Sequence, residues 1–554
     1  MVLEVSLHTV SDDVETDGAS YVEGVRPLNN NLAIIDCRRN EEVDSHDNDI
    51  GYISETDDDD DDGGGRDKLE LLRVASTKEN EYTILSKRER VSLALLLALV
   101  GMCSAMTMPI YWTALPEMAI AFHTTEERIN FTVTSYLCFQ AVAPVFVSTL
   151  SDILGRRPVI LGCIIGGIAT NVGLAVSRKY WLIVFLRCVL ATFLAPLVSI
   201  TSAAVGDFTT RRNRGGLTGL TSGFTLIGQG VAPFLGAVMD TAWKWPAIFW
   251  FSAALEGLIL AIVFVALPET HRGFVGDLSV RPKLWIHRSP VLAYFGNRIV
   301  GYNQSLLQKR LHKYEPWKPL KLIAEISVFN ILLPSSLLFS VWTISQTSLS
   351  VHLSSDYHYS TLHIGLCFFA PGSATIVGTL VSGRLLDMIY KRRKAKYDTK
   401  YISDIEKSNI TSIPPFNILF VRLYCIPFAA CIVCMASVVF GWCLEYRIAL
   451  AVILVMAFLI TFFCMFPLNI TTTVLVDMFP EIAGGATALN NLFRCGMSAI
   501  FVSCLTKMER HMTLGGTYTF MAGIAAVSTG LVLLLMKNSE SILIKAREKK
   551  MRGG

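Results

Sequence analysis

Three charged residues lie inside apolar runs: Arg187 in FLRCVLATFLAP, Glu256 in FSAALEGLILA and Arg494 in NNLFRCGMS. A charge within hydrocarbon is costly, so such residues point to function. Glu256 is the deepest carboxylate in the first half of the chain. A carboxyl there resists ionisation and suits loading and releasing a proton; the plainer reading makes it a structural partner for a polar neighbour. A guanidinium keeps its proton. Arg187 therefore sets the charge state of a nearby acid, binds an anionic group, or snorkels its head to the interface. Arg494 follows Asn490 and Asn491 by one turn, with Asp477 as a candidate ion-pair partner. Arg422 reads as an interfacial anchor.

A second group of charges sits between apolar runs. In SDILGRRPV, Asp152, Gly155, Arg156 and Arg157 form a short hinge, where glycine permits a tight turn and arginines hold the loop on the cytoplasmic side. With Asp207, Arg214 and Asp477 they are candidates for gating ion pairs that form in one conformation and break in another. The segment from 216 to 240 carries Gly228, Pro233 and Gly236 among other small residues, which allow close helix approach. Tyr136, Phe139, Gln140, Phe224, Gln229, Trp342, Gln346 and Asn490 supply the mixture of aromatic and polar groups that a cavity for amphipathic solutes needs.

The elements that must position these residues are membrane helices. Mean hydropathy is +0.46 and charged residues make up 17%, against about 25% in soluble domains. Spans of about 20 apolar residues are expected at 92–121, 131–150, 158–177, 182–206, 216–240, 246–268, 323–347, 361–383, 417–443, 448–473, 483–505 and 514–536. This is an all-α membrane protein with twelve transmembrane helices. Residues 1–90 read as a disordered acidic cytoplasmic tail containing Asp57–Asp62, six consecutive aspartates. The N-terminal half runs over 91–268, a central cytoplasmic loop over 269–322, the C-terminal half over 323–536, and a basic tail over 537–554. The central loop alone holds ten Lys and Arg, from Arg272 to Lys321, and Arg384 to Lys407 forms a further cluster. This asymmetry places both termini in the cytoplasm. SGRLLDMIYKRR (Ser382–Arg393) repeats the glycine, acid and arginine pair of the first hinge six spans later. Two six-helix halves joined by a long loop form the plan of a rocking transporter.

No catalytic triad, phosphate loop or metal cluster is evident, so the chain reads as no enzyme, with no cofactor and no metal. Cys431 and Cys434, a CxxC inside an apolar run, read as apolar filler. Asn130 opens a glycosylation sequon too near a span to invite modification.

Several motifs resemble the major facilitator superfamily, with its two-half major facilitator fold, and within it the fungal twelve-span drug:proton antiporters. Asp152, Gly155, Arg156 and Arg157 match the loop 2–3 signature, Arg187 the fourth-span motif, GQGVAPFLGAVM the antiporter signature of span five, LPETHR the end of span six, and LVDMFPEIAGGATALNNLFRC the region around span eleven. GDFTTRRNRGGLTGLTSGFTLIGQ and GGTYTF are similar to the quinidine-resistance and weak-acid-resistance subgroup. Ser148, Ile153, Leu190, Ala191 and Ala232 depart from the usual patterns. The resemblance covers roughly 90–540 and implies proton coupling through Arg187 and Arg494, which Glu256 joins on the physical argument above.

The expected function is proton-coupled antiport of drugs, organic cations or weak acids out of the cell, giving multidrug resistance. The expected partners are a small-molecule substrate, protons and the lipid bilayer, with no nucleic acid. A monomer in the plasma membrane is expected, a vacuolar or other internal membrane being the alternative. Two rivals remain: a transporter of a physiological solute such as amino acids, polyamines or a monocarboxylate, and a membrane receptor or scaffold with vestigial transport.

Overall fold

The structure, a computed structural model, describes residues 83–209, 211–282, 284–290, 317, 319–407, 417–478 and 483–539. The acidic tail as far as residue 82, most of the central loop and the chain from 540 onward lie outside the described residues. Those described belong to one compact unit within 63–554.

The first helix, α1, spans Lys87–Met106 and starts inside the segment expected as tail. Its start is set by a capping box: Glu89 Oε2 accepts the Ser86 N–H at 2.7 Å, while Ser86 Oγ accepts the Glu89 N–H at 3.4 Å. Such caps contribute about 1 kcal/mol. The expected first span is three pieces, because α2 (Pro109–Trp112) and α3 (Leu115–Ala121) follow after breaks. Pro109 and Pro116 explain the breaks, since proline cannot donate within a helix and prefers its first turn.

The N-terminal set continues with α4 (Glu126–Leu154), α5 (Arg156–Val176), α6 (Tyr180–Leu194), α7 (Pro196–Phe208), α8 (Arg211–Trp243), α9 (Pro246–Ala266) and the short α10 (Arg272–Val275). The C-terminal set comprises α11 (Ile326–Ser355), α12 (Thr361–Cys367), α13 (Phe369–Lys407), α14 (Ile418–Leu423), α15 (Ile426–Glu445), α16 (Leu450–Met478) and α17 (Ala483–Lys537).

Ten helices among the described residues are long and apolar enough to cross a membrane. Two features separate this from the twelve expected spans. The 33-residue α8 is not among the ten. The 55-residue α17 counts once, although Thr513 interrupts it at φ 61, ψ 171; unbroken, it would measure about 80 Å, far beyond a hydrocarbon core of about 30 Å.

The expected hinge at Ser382–Arg393 is absent. α13 runs straight through Gly383, beside which there is open space. The following residues include many lysines and arginines and no proline before Lys407, so nothing stops helix propagation.

Within the N-terminal set α1 packs on α8, α5 on α9, and α6 on both α4 and α5. In the C-terminal set α17 packs on α11 and α15, and α16 on α13 and α15. The sets meet where α4 lies along α17 and α8 lies along α12 and α13. At the second contact Gly230 and Gly372 bring backbone against backbone: a Cβ at Gly230 would lie 2.7 Å from the Gly372 carbonyl oxygen. Many large apolar side chains remain exposed, Val527, Ile120 and Trp181 among them, as a lipid-facing surface requires.

Candidate functional site

Glu256 lies on α9 with 2% exposure. Its Oε1 accepts a hydrogen bond from Asn171 Nδ2 on α5 at 2.8 Å. Neither Glu256 Oε2 nor Asn171 Oδ1 has a hydrogen-bond partner. Gly167 admits the carboxyl, since a Cβ there would come within 3.0 Å of Oε2. Asn171 is thus the polar neighbour left open by the sequence. It was overlooked there, although one asparagine within GGIATNVGL is a visible signal.

Arg187, on α6, does not snorkel; it is fully buried. Its guanidinium carbon sits 3.9 Å from the Tyr111 ring centroid and 4.5 Å from that of Tyr136. Such cation–π contacts contribute about 1–2 kcal/mol each when desolvated. None of its three guanidinium nitrogens has a hydrogen-bond partner. Tyr111 OH is hydrogen-bonded to Thr132 Oγ1 at 2.7 Å. No ion pair joins Arg187 to Glu256. Tyr136 is fully buried beneath Arg187 and does not line either cavity described below.

Arg494 lies where the two sets meet. Its Nη2 donates to Asn491 Oδ1 at 2.8 Å, and its guanidinium faces the Phe339 ring at 4.6 Å. Asn491 Nδ2 donates in turn to the Gln140 carbonyl across the interface at 2.9 Å. Asn490 Nδ2 donates to Thr472 Oγ1 at 3.1 Å. Asp477 pairs not with Arg494 but with Arg422, at 3.2 Å, so Arg422 is an ion-pairing residue and not merely an anchor.

Gln229, Trp342 and Gln346 line a cavity of about 10 Å³ with Trp112, Pro233 and Phe368, room for at most one water. Phe224 lines a larger apolar cavity of about 190 Å³ between α8 and α13. Phe139 is 46% exposed. Gly228 and Gly236 admit close contact: a Cβ would strike Met102 at the first and the Ile110 carbonyl at the second. Ser350 Oγ donates to the Trp112 carbonyl at 2.6 Å, joining α11 to α2.

The loop charges form one buried assembly. Gly155 breaks the chain between α4 and α5 at φ 101. Arg156 pairs with Asp152 at 2.6 Å and Asp207 at 3.1 Å. Glu269, unassigned by the sequence although it stands in LPETHR, caps α5: its oxygens accept the N–H groups of Arg156 at 2.8 Å and Arg157 at 3.2 Å. They also accept the N–H groups of Thr270 and His271, and one oxygen lies 3.0 Å from His287 Nδ1. Burial pushes the Glu269 carboxyl up, but these hydrogen bonds outweigh it and hold the carboxyl below its ordinary value. Arg157 donates to the carbonyls of Leu267, Phe264 and Ile286. The Arg214 side chain lies outside the described residues. Another acid missed by the sequence reading is Asp240, 2% exposed, which lies against the Glu117 carboxyl of α3.

The chain is 38% identical over 475 residues to MFS antiporter QDR1 of Candida albicans, covering 84% of this chain and 92% of that protein. It is 34% identical over 536 residues to multidrug transporter QDR2 of Candida glabrata, with 92% and 90% covered. The D-xylose-proton symporter shares the fold at TM-score 0.57, with 14% identity over 80% of this chain and 96% of that one. The sequence model of the Major Facilitator Superfamily matches residues 97–502. With that match spanning both helix sets, the chain belongs to the major facilitator superfamily of membrane transporters.

Proposed function

We propose that this transporter is a proton-coupled antiporter that exports drugs, organic cations or weak acids across the plasma membrane as a monomer. The observation that carries the reading is Glu256, a buried carboxyl on a membrane-length helix with one unpartnered oxygen, in a chain whose relatives are named antiporter and multidrug transporter. Proton loading at Glu256 stabilises one conformation over the other, which coupling requires. Arg187 and Arg494 act as fixed charges, Arg187 held by its two tyrosines and Arg494 facing the interface. The Arg156 ion pairs with Asp152 and Asp207 act as a gate lock.

The fold is completed by twelve spans in two six-helix halves, with both termini and the loop over 269–322 in the cytoplasm. The length of α8 and the break at Thr513 support the count; the basic residues around 384–407 support the orientation. On that orientation the Ser350–Trp112 contact closes the outer end, and the approach to Phe224 and Gln229 lies from within. Residues 1–70 serve no transport step.

The test uses proteoliposomes with an imposed pH gradient and quinidine as probe. Glu256→Gln mimics the protonated carboxyl permanently. Gradient-driven quinidine flux is expected to collapse while quinidine–quinidine exchange persists. Gradient-driven flux equal to that of the unaltered protein would sink the proton-carrier role and leave Glu256 as the structural partner of Asn171.

A further inference from the structure

Three groups that the antiport reading does not use converge where α11 ends against α17. His352 stands in the last turn of α11 and Asp356 just beyond its end. His352 Nδ1 lies 2.7 Å from Asp356 Oδ2, and Nε2 lies 3.7 Å from Glu509 Oε1 on α17. Ser348, one turn earlier on α11, donates to that same Glu509 oxygen at 3.1 Å. The side chains of His352 and Glu509 are about 15% exposed.

We propose that His352, Asp356 and Glu509 form a second proton-binding site, in the C-terminal set, whose occupancy ties α11 to α17. An ionised carboxylate only accepts, so Nδ1 carries the hydrogen facing Asp356. In the neutral ring Nε2 then turns a lone pair toward Glu509, a contact of like polarity. A second proton converts that contact into an attraction, and both nitrogens then face acceptors. The C-terminal end of a helix also favours a cation.

The charged groups around the imidazole are few. Asp356 is shared with Arg447 at 3.3 Å, on the turn between α15 and α16. Glu445 on α15 already accepts the N–H of Leu514 at 2.8 Å. Tyr518 on α17 faces Ser348 and Glu509, and Tyr357 faces Asp356. Arg510 and His511 on α17 are exposed. Among the described residues no charged group of α3 or α16 pairs with the ring. Ser350, between Ser348 and His352, makes the contact to Trp112 that joins the two sets. Proton occupancy therefore acts beside that closure. The site itself is independent of the role of Glu256.

Histidine labelled with carbon-13 at Cε1 in the full chain, held in lipid nanodiscs, reads the site without any transport assay. The signal missing from His352→Gln identifies His352. It is expected to titrate between about pH 5 and 10. Its midpoint should move toward acid by about one pH unit, tenfold in proton affinity, in Glu509→Gln and again in Asp356→Asn. A signal that does not titrate in that range, or a midpoint unmoved in both variants, overturns the site. If His352→Gln does not fold, the signal displaced in Asp356→Asn makes the identification. Protection factors for hydrogen exchange over 348–356, with the intrinsic pH dependence of amide exchange divided out, should rise on acidification in the unaltered protein and not in Glu509→Gln. Equal pH response in the two overturns the tie between α11 and α17.

Discussion

Two segments six spans apart carry the same residue types: Ser151–Arg157 and Ser382–Arg393 each hold a glycine, an acid and paired arginines. In the first the helix breaks at Gly155, and a new helix begins under the Glu269 cap. In the second α13 passes through without interruption. The charged contacts differ at one place. The Glu269 and His287 side chains are 0% and 3% exposed. The Arg422 pair with Asp477, at 13% and 29%, is more open than that contact and resembles the Arg156 pair with Asp152, at 9% and 33%. A motif makes a hinge only where a distant residue is placed to satisfy the helix end that the hinge creates. LPETHR supplies that residue to the N-terminal set; no described residue does so beside Gly383.

Gly155→Val should have the largest effect on flux. A β-branched residue at φ 101 is strained by about 1–3 kcal/mol, and its Cβ would meet Glu269 and His287. Quinidine flux at equal membrane abundance should fall at least about tenfold, the rate equivalent of 1.4 kcal/mol. Undiminished flux would erase the distinction between the two segments.

Glu269→Gln comes next. Removing one partner from a buried charged assembly costs about 3 kcal/mol, read as a lower melting temperature in detergent. The same carboxyl has a pH signature. Its value in the folded protein is held down, so its contribution is full above the ordinary carboxylate value of about 4.3 and is lost as pH falls below it. The melting-temperature gap between the unaltered protein and Glu269→Gln should therefore be constant from neutral pH down to about 5 and close below about 4. A gap that widens on acidification would contradict the cap.

Asp477→Asn, at the more open Arg422 pair, should cost no more than about 1 kcal/mol. A loss matching that of Glu269→Gln would show that the two pairs are equivalent after all. The smallest effect belongs to Gly383→Ala, where a methyl meets open space inside a helix. It should raise stability by up to about 1 kcal/mol and leave flux unchanged. A loss of flux there would reveal a bend at Gly383 in another conformation.

Most of the scaffold is legible in the sequence. Hydropathy finds ten membrane-length helices among the described residues, because the bilayer demands about 20 apolar residues per crossing, but it passes over α8. Proline positions explain breaks that hydropathy smooths over, at Pro109, Pro116 and Pro196. Arg187 was visible as a buried charge, but its company was not: Tyr111 and Tyr136 reach it from α2 and α4. Likewise the sequence offered Arg494 as the partner of Asp477 and read Arg422 as an anchor; the approach of α14 to α16 pairs Asp477 with Arg422 instead.

What the sequence determined by itself is whatever depends on local composition: membrane residence, helical character, and the rare charges within apolar runs. What the tertiary structure decided is which of those charges meet. Glu256 meets Asn171, Glu269 meets the start of α5, and His352 meets Glu509 across 157 positions of sequence. Hydropathy is a sum over neighbours in sequence, whereas an ion pair or cap needs two groups within about 4 Å in space, a distance that only helix packing sets.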